Sequence, residues 1–132
     1  MVMGEFEEHP NMYEDVKDFH KKFGAHMEKT PTIPPPEVCK LRRTLIREEY
    51  KEVRHALEVK NLPEIAKELC DLIYVVCGTA VSYGIDLNPV WEEVQRTNML
   101  KVGGANREDG KVLKPEGWQP PDIVNLLKRQ GM

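Results

Sequence analysis

Apolar residues recur at helical spacing in several separate segments of the chain. Asn11 and Glu14 have the spacing of a capping box that starts a helix. The apolar positions that follow, before Gly24, share one helical face: Met12, Val16, Phe19 and Phe23. This pattern predicts a short first helix. The proline-rich run over 30–36 predicts an extended connection after it, because each Pro removes a backbone donor and disfavours helix in the preceding residue.

Two long helices are predicted next. The segment from about 37 to about 59 carries an apolar stripe at helical spacing: Ile46, Tyr50, Val53 and Leu57. Asn61 and Pro63 predict a tight turn into a third helix from about 63 to about 83. Residues 72–81 of that helix are apolar on all sides, and such a helix must be buried all round. We therefore expect a homodimer or homotetramer in which this helix packs against its copy.

The last third of the chain predicts two shorter helices with a loop between them. Asn88 and Pro89 begin the fourth helix, whose predicted inner face carries four residues: Leu87, Trp91, Val94 and Asn98. Residues 103–119 lack a sustained period and contain the turn signal Asp109-Gly110, which indicates a small hairpin. A last helix is predicted over about 121–130. We expect one all-α domain over 1–132, a four- to five-helix bundle, with 1–10 flexible and 102–120 forming a loop over or near a site.

Composition and charge narrow the function classes. The chain has 132 residues, 40% hydrophobic and 31% charged, as is usual for a folded globular domain. A net charge of −3 gives no basic excess for nucleic-acid binding. The three cysteines are odd in number, and two lie in apolar helix pattern, which favours reduced core residues. No signal-peptide core is present and the run over 72–81 is too short for a bilayer, so we expect a cytoplasmic protein without a membrane partner.

Acidic residues on the second and third helices carry the candidate chemistry. Glu49 and Glu52 are three apart on one helix, Glu68 and Asp71 are three apart on the next, and Glu48 stands beside the first pair. Residues three or four apart share a helix face, and an antiparallel pair brings two such faces together. Like charges about 4 Å apart repel by roughly 4 kcal/mol at an effective dielectric near 20, so the cluster needs a cation. All-oxygen ligands favour Mg²⁺ or Mn²⁺, and Mg²⁺ sites commonly include substrate phosphates.

A solvated surface is the simpler interpretation of such acids. Neighbouring Arg47, Lys51 and Arg54 are what a salt-bridged helix surface would carry. Asp71 argues against it, because it stands in the apolar stretch 69–73, and buried charges are usually paired or bind metal.

The acid pattern resembles a known signature. Glu49-x-x-Glu52 followed by Glu68-x-x-Asp71 is similar to the E-x-x-E…E-x-x-D motif of the all-α nucleoside triphosphate pyrophosphohydrolases, the superfamily of MazG-like, phosphoribosyl-ATP pyrophosphohydrolase-like and dimeric dUTPase-like enzymes. The likeness covers roughly 41–101. It implies that these four acids hold two or three Mg²⁺ ions, with Mn²⁺ as a substitute, and that a nucleotide is hydrolysed to its monophosphate and pyrophosphate. Glu48 resembles the residue that supports a further ion or orients the attacking water.

Further residues are candidates for substrate binding. Asn98-x-x-Lys101 resembles an Asn/Lys pair near the end of the fourth helix in some members, and Lys114 lies on the following loop. Alternatives for the three residues are a buried Asn, a cation at a helix end and a plain surface hairpin. The base stays open between dUTP and dGTP or GTP. The other functions considered are phosphoribosyl-ATP pyrophosphohydrolase and a non-catalytic helical interaction module.

Overall fold

The computed structural model describes residues 11–132, which form five helices and no strand. The helices are α1 (Met12–Phe23), α2 (Pro36–Val59), α3 (Leu62–Ser82), α4 (Leu87–Asn98) and α5 (Ile123–Arg129). The all-α prediction is confirmed, with each boundary within about two residues of the predicted one. The predicted flexibility of residues 1–10 lies outside the described residues.

Two of the three predicted caps, Asn11 and Asn61, begin their helices as predicted. The third prediction was wrong: Asn88 lies inside α4, and the helix is capped by Asp86, whose side chain accepts a hydrogen bond from the Asn88 amide at 3.0 Å. The Asn11 side chain accepts a hydrogen bond from the Glu14 amide at 3.0 Å, and the Asn61 side chain accepts one from the Glu64 amide at 3.2 Å. Each bond satisfies an amide that has no partner inside its own helix. Helix α1 ends at Gly24, whose φ of 71° is the left-handed conformation common after a helix.

Helices α2 and α3 form a hairpin that organises the first of two compact units, which ends at Ile85. Two residues join them, and Lys60 makes the reversal with a left-handed φ of 58°. Helix α1 packs against α3. The apolar core of this unit comes from all three helices: Tyr13, Val16, Val53, Ala56, Cys77, Ala80 and Val81.

The predicted apolar stripes are only partly buried in the single chain. On α1 the buried side chains are Tyr13, Val16 and His20, while three predicted core positions are exposed: Met12, Phe19 and Phe23. On α2, Val53 is buried but Tyr50 and Leu57 are about half exposed. The spacing identified the helices correctly. Each apolar stripe is wider than the surface of the neighbouring helix that covers it, so the residues at the sides of the stripe stay exposed. Cys70 is also exposed, which corrects its assignment to the core.

Residues 86–132 form the second unit, in which α4 packs against α5. The predicted hairpin is present as a bridge between Asn106 and Val112, closed by the predicted turn at Asp109 and Gly110. Trp91, placed on the inner face of α4 by its spacing, is 72% exposed. The single-domain assignment stays a prediction. Among the described residues no single helix is long and apolar enough to cross a membrane; only α3 and α4 counted together reach that length and composition.

Candidate metal centre

Three acids from the two helices of the α2–α3 hairpin meet at one place. Glu49 comes from α2, and Glu68 and Asp71 come from successive positions on one face of α3. One carboxylate oxygen from each lies within 4.8 Å of the other two. The two-residue connection causes this meeting, because it makes the helices close neighbours and sets Glu49 opposite the pair on α3.

The remaining predicted acids surround these three without joining them. Glu48 and Glu52 line the same open pocket of about 390 Å³, together with Glu49, Glu68 and Asp71. Both are exposed, and neither belongs to the group whose oxygens converge. The structure therefore separates an inner trio, Glu49, Glu68 and Asp71, from two acids at the pocket wall.

Burial within the trio differs from what the sequence indicated. Asp71 was singled out by its apolar neighbours, yet its side chain is 41% exposed. The buried acid is Glu68, whose side chain is only 7% exposed. The neighbours of Asp71 along the helix, Cys70 and Ile73, are exposed as well, so this part of α3 is not enclosed in the single chain. Glu68 is therefore the member of the trio whose charge most needs a positive partner close by, since a buried carboxylate must be paired or bound.

The charges of the trio act on one another. Desolvation raises the pKa of the Glu49 carboxyl above its usual range, and the negative charges of Asp71 and Glu68 raise it further. The positive charge of Lys67 opposes this rise in pKa, and the neighbouring Glu52 adds to it. An acid with a raised pKa is one whose charged form lacks compensation, so this group of oxygens attracts a cation. Clustered carboxylates without His or Cys fit a hard ion of the Mg²⁺ or Mn²⁺ type.

Lys67 is a member of this site that sequence reasoning missed. Its ammonium nitrogen lies 2.9 Å from Asp71 Oδ2 and 3.1 Å from Glu68 Oε1. These contacts raise the pKa of Lys67, the hydrogen bond to Asp71 most and that to Glu68 next. The four-residue spacing from Lys67 to Asp71 was the available signal, because it places both side chains on one helix face.

The predicted substrate-binding residues all belong to the second unit. Asn98 is the last residue of α4 and is exposed. The ammonium groups of Lys101 and Lys114 each lie 5.2 Å from the centre of the Trp118 ring, within cation–π distance. The indole N–H of Trp118 donates to the Thr97 carbonyl at 2.7 Å, which fixes the ring. Two of the three predicted residues thus share one aromatic platform.

Comparison with known proteins agrees with this geometry. Residues 16–98 match the family model of phosphoribosyl-ATP pyrophosphohydrolase, a stretch that includes the whole trio. A protein from Acanthamoeba polyphaga mimivirus, named only as uncharacterized protein L479, is 35% identical over 125 residues. The match covers 89% of this chain and 48% of that protein, so the chain spans about half the length of its viral relative.

Proposed function

Because this chain belongs to the phosphoribosyl-ATP pyrophosphohydrolase family, we propose that it is a Mg²⁺-dependent nucleoside triphosphate pyrophosphohydrolase. The reaction proposed is hydrolysis of the bond between the α and β phosphates of a ribo- or deoxyribonucleotide, which yields the monophosphate and pyrophosphate. The observation that carries the proposal is the convergence of Glu49, Glu68 and Asp71 within the matched region. Carboxylates so placed suit a reaction in which phosphate charge must be neutralised.

In this proposal the acids of the hairpin hold the ions and direct the water. Glu49, Glu52, Glu68 and Asp71 are the ligands of two or three Mg²⁺ ions, for which Mn²⁺ can substitute. Such ions lower the pKa of water and neutralise charge on the leaving group. Glu48 is the proposed base that accepts the proton of the attacking water, a role supported by its place in the wall of the same pocket.

The second unit supplies the proposed contacts to substrate. Lys101 and Lys114 are cations held against Trp118, which suits binding of a phosphate chain. Asn98 offers an amide that can donate to and accept from a sugar hydroxyl. Asn98 and Lys114 are exposed and Lys101 is half-buried, and substitution of these residues is expected to raise KM.

Two alternative functions are each favoured by one observation. The family model itself favours phosphoribosyl-ATP as the substrate, since that is the activity in its description. A non-catalytic helical module is the third candidate, supported by the exposed apolar side chains of the first unit. Within the leading proposal the candidate substrates are dUTP and dGTP or GTP, because acids that hold ions at the phosphates would not distinguish one base from another.

A homodimer or homotetramer is part of the proposal. Four apolar side chains of α1 and α3 are between 40% and 43% exposed: Phe19, Ile73, Tyr74 and Val76. Phe19 and Tyr74 form an edge-to-face pair with ring centres 5.5 Å apart, so exposed apolar side chains of the two helices meet at this point. Light scattering after size-exclusion chromatography tests this, with a monomer mass as the contradicting result.

The test of function is a substrate panel. Purified protein is incubated with each (d)NTP and with phosphoribosyl-ATP, in Mg²⁺, in Mn²⁺ and in EDTA, and the products are separated chromatographically. We expect a monophosphate and pyrophosphate from one substrate group, and no product in EDTA. Release of orthophosphate and a diphosphate would show a different bond being cleaved.

A matched variant distinguishes the protein's own activity from a contaminant. The double variant Glu49→Gln with Asp71→Asn removes two ligand charges and is expected to abolish turnover and weaken Mn²⁺ binding. Glu58→Gln removes one charge from an exposed pair with Arg54 outside the pocket and is expected to retain activity. Absence of turnover on every substrate, with unchanged Mn²⁺ binding by the double variant, would leave the non-catalytic module as the better proposal.

A further inference from the structure

Lys67 occupies the place in the acid trio where a positive charge is needed. Its nitrogen contacts oxygens of Glu68 and Asp71, two of the three residues whose oxygens converge. The Lys67 side chain is 64% exposed, so nothing in the core holds it there. The contacts therefore reflect attraction between an ammonium group and two carboxylates in a site that has an excess of negative charge.

We propose that Lys67 is a tethered counter-cation that positions the Glu68 and Asp71 carboxylates in the metal-free protein and leaves them when a divalent ion enters. This inference rests on the proposed function, because it takes the trio to be the metal site. Mg²⁺ binds carboxylate oxygens at about 2.1 Å, closer than an ammonium group does. An ion held by the trio would therefore meet Lys67 in its present position, and two cations cannot share these oxygens without strong repulsion.

The exchange has two consequences of opposite sign. Before metal enters, Lys67 offsets the repulsion among the carboxylates and should stabilise the folded protein. When metal enters, the ion must replace Lys67, so the lysine should weaken metal binding. A purely structural lysine would stabilise the protein equally with and without metal. These two effects together therefore identify the role.

The experiment compares Lys67→Met with wild type and with Lys51→Met. Lys51 lines the same pocket, and Lys51→Met makes the same change in net charge as Lys67→Met. Among the described residues, however, Lys51 has no carboxylate within ion-pair distance, so the comparison isolates the contacts that Lys67 makes. Mn²⁺ affinity is measured by titration without nucleotide, and Tm is measured in EDTA and in saturating Mn²⁺. We expect Lys67→Met to bind Mn²⁺ roughly tenfold more tightly, and Lys51→Met to change the affinity by less than about threefold.

Thermal stability supplies the second readout. Lys67→Met is expected to have a lower Tm than wild type in EDTA and an equal or higher one in saturating Mn²⁺. Lys67→Arg, which keeps a cation, should stay near the wild-type Tm in EDTA. Equal Mn²⁺ affinities for the two Met variants, or an equal loss of Tm with and without Mn²⁺, would overturn the role of Lys67 while leaving the metal site intact. Failure of wild type and Lys67→Met alike to bind Mn²⁺ would remove the metal site and this inference together.

Discussion

Helices α2 and α3 carry two clusters of charged side chains whose charges are stabilised in different ways. At the acid trio, three carboxylates converge, and one exposed ammonium group, that of Lys67, contacts two of them, Glu68 and Asp71. Nearer the start of α2, the Arg42 guanidinium is buried and donates to Thr79 Oγ1 at 3.2 Å and to the Val75 carbonyl at 2.9 Å. No described carboxylate lies within ion-pair distance of Arg42. The first cluster has too little opposite charge, and the second is satisfied by neutral oxygens.

The difference separates a binding site from a structural cluster. Around Arg42 every buried side-chain nitrogen and oxygen among the described residues has a partner, and neighbouring His20 and Ser82 both bond to the His26 carbonyl. Such a network needs no ligand and fixes how α1 and α3 pack. The acid pocket is open and retains excess negative charge, which is the condition for recruiting a cation. Substitutions should therefore affect activity in one cluster and stability in the other.

The largest effect is expected from neutral isosteres of the trio. Glu49→Gln, Glu68→Gln and Asp71→Asn each remove one ligand charge and should slow Mg²⁺-dependent pyrophosphate release at least about 100-fold, roughly 2.7 kcal/mol of activation free energy. Stability in EDTA should not fall for Glu49→Gln, because this change relieves repulsion without removing a contact to Lys67. Glu52→Gln should cost less, about tenfold, since Glu52 stands outside the inner trio. Steady-state kinetics with Tm measured in parallel checks both statements.

Comparing the loss of activity in Glu52→Gln with that in the trio variants also tests whether Glu52 binds the ions less strongly than the trio does. Equal losses for Glu52→Gln and Glu49→Gln would mean that all four acids of the motif bind the ions with similar strength. The trio would then be too narrow a description of the loaded site. Glu58→Gln serves as the control, because Glu58 is an exposed acid of α2 that does not line the pocket.

The second largest effect is expected on stability, from a substitution that tests how tightly the residues around Arg42 are packed. A methyl group added at Gly78 would overlap Arg42 Nη2 and lie 3.0 Å from His20 Nε2. Gly78→Ala should therefore destabilise the protein by about 1–3 kcal/mol, although Ala in a helix interior is ordinarily favoured over Gly by about 1 kcal/mol. Chemical denaturation measures the change. A stability equal to or above wild type would show that Arg42 can move aside easily.

The sequence predicted the helices and the acids well because those signals are local. Caps such as Asn11 and Asn61 act on amides three residues away, and the E-x-x-E and E-x-x-D spacings place carboxylates on one face of their own helix. The helix boundaries and the meeting of Glu49 with the α3 acids both follow from such short-range rules plus one tight turn. The assignment of roles to these acids stays a prediction.

What the sequence could not supply depends on which surfaces face each other. Trp91 and Phe19 have the spacing of core residues but are exposed, because spacing defines a stripe and does not say whether a partner covers it. Arg42 was not singled out, since a buried arginine satisfied by carbonyls has no sequence signature. Lys67 was overlooked because a lysine beside acids is typical of a solvated helix, and only the geometry showed that it contacts two of the trio.

The smallest expected effect is a pH dependence of stability that arises in the Arg42 cluster. Burial lowers the pKa of His20 below its ordinary value, and the positive charge of Arg42 lowers it further, although the hydrogen bond to the His26 carbonyl opposes this. The unfolded chain therefore takes up a proton at a higher pH than the folded protein does. The stability that depends on neutral His20 is fully present above about pH 6.5 and is lost as the pH falls from there through the lower folded pKa.

Wild type should lose more Tm between pH 7.5 and pH 5 than His20→Asn, whose amide nitrogen can replace the bond to the His26 carbonyl. His55→Asn, at an exposed position of α2, should keep the wild-type pH profile. Identical pH profiles for His20→Asn and wild type would show that the acid-side loss arises elsewhere, and the cluster around Arg42 would then be insensitive to pH as well as closed to ligands.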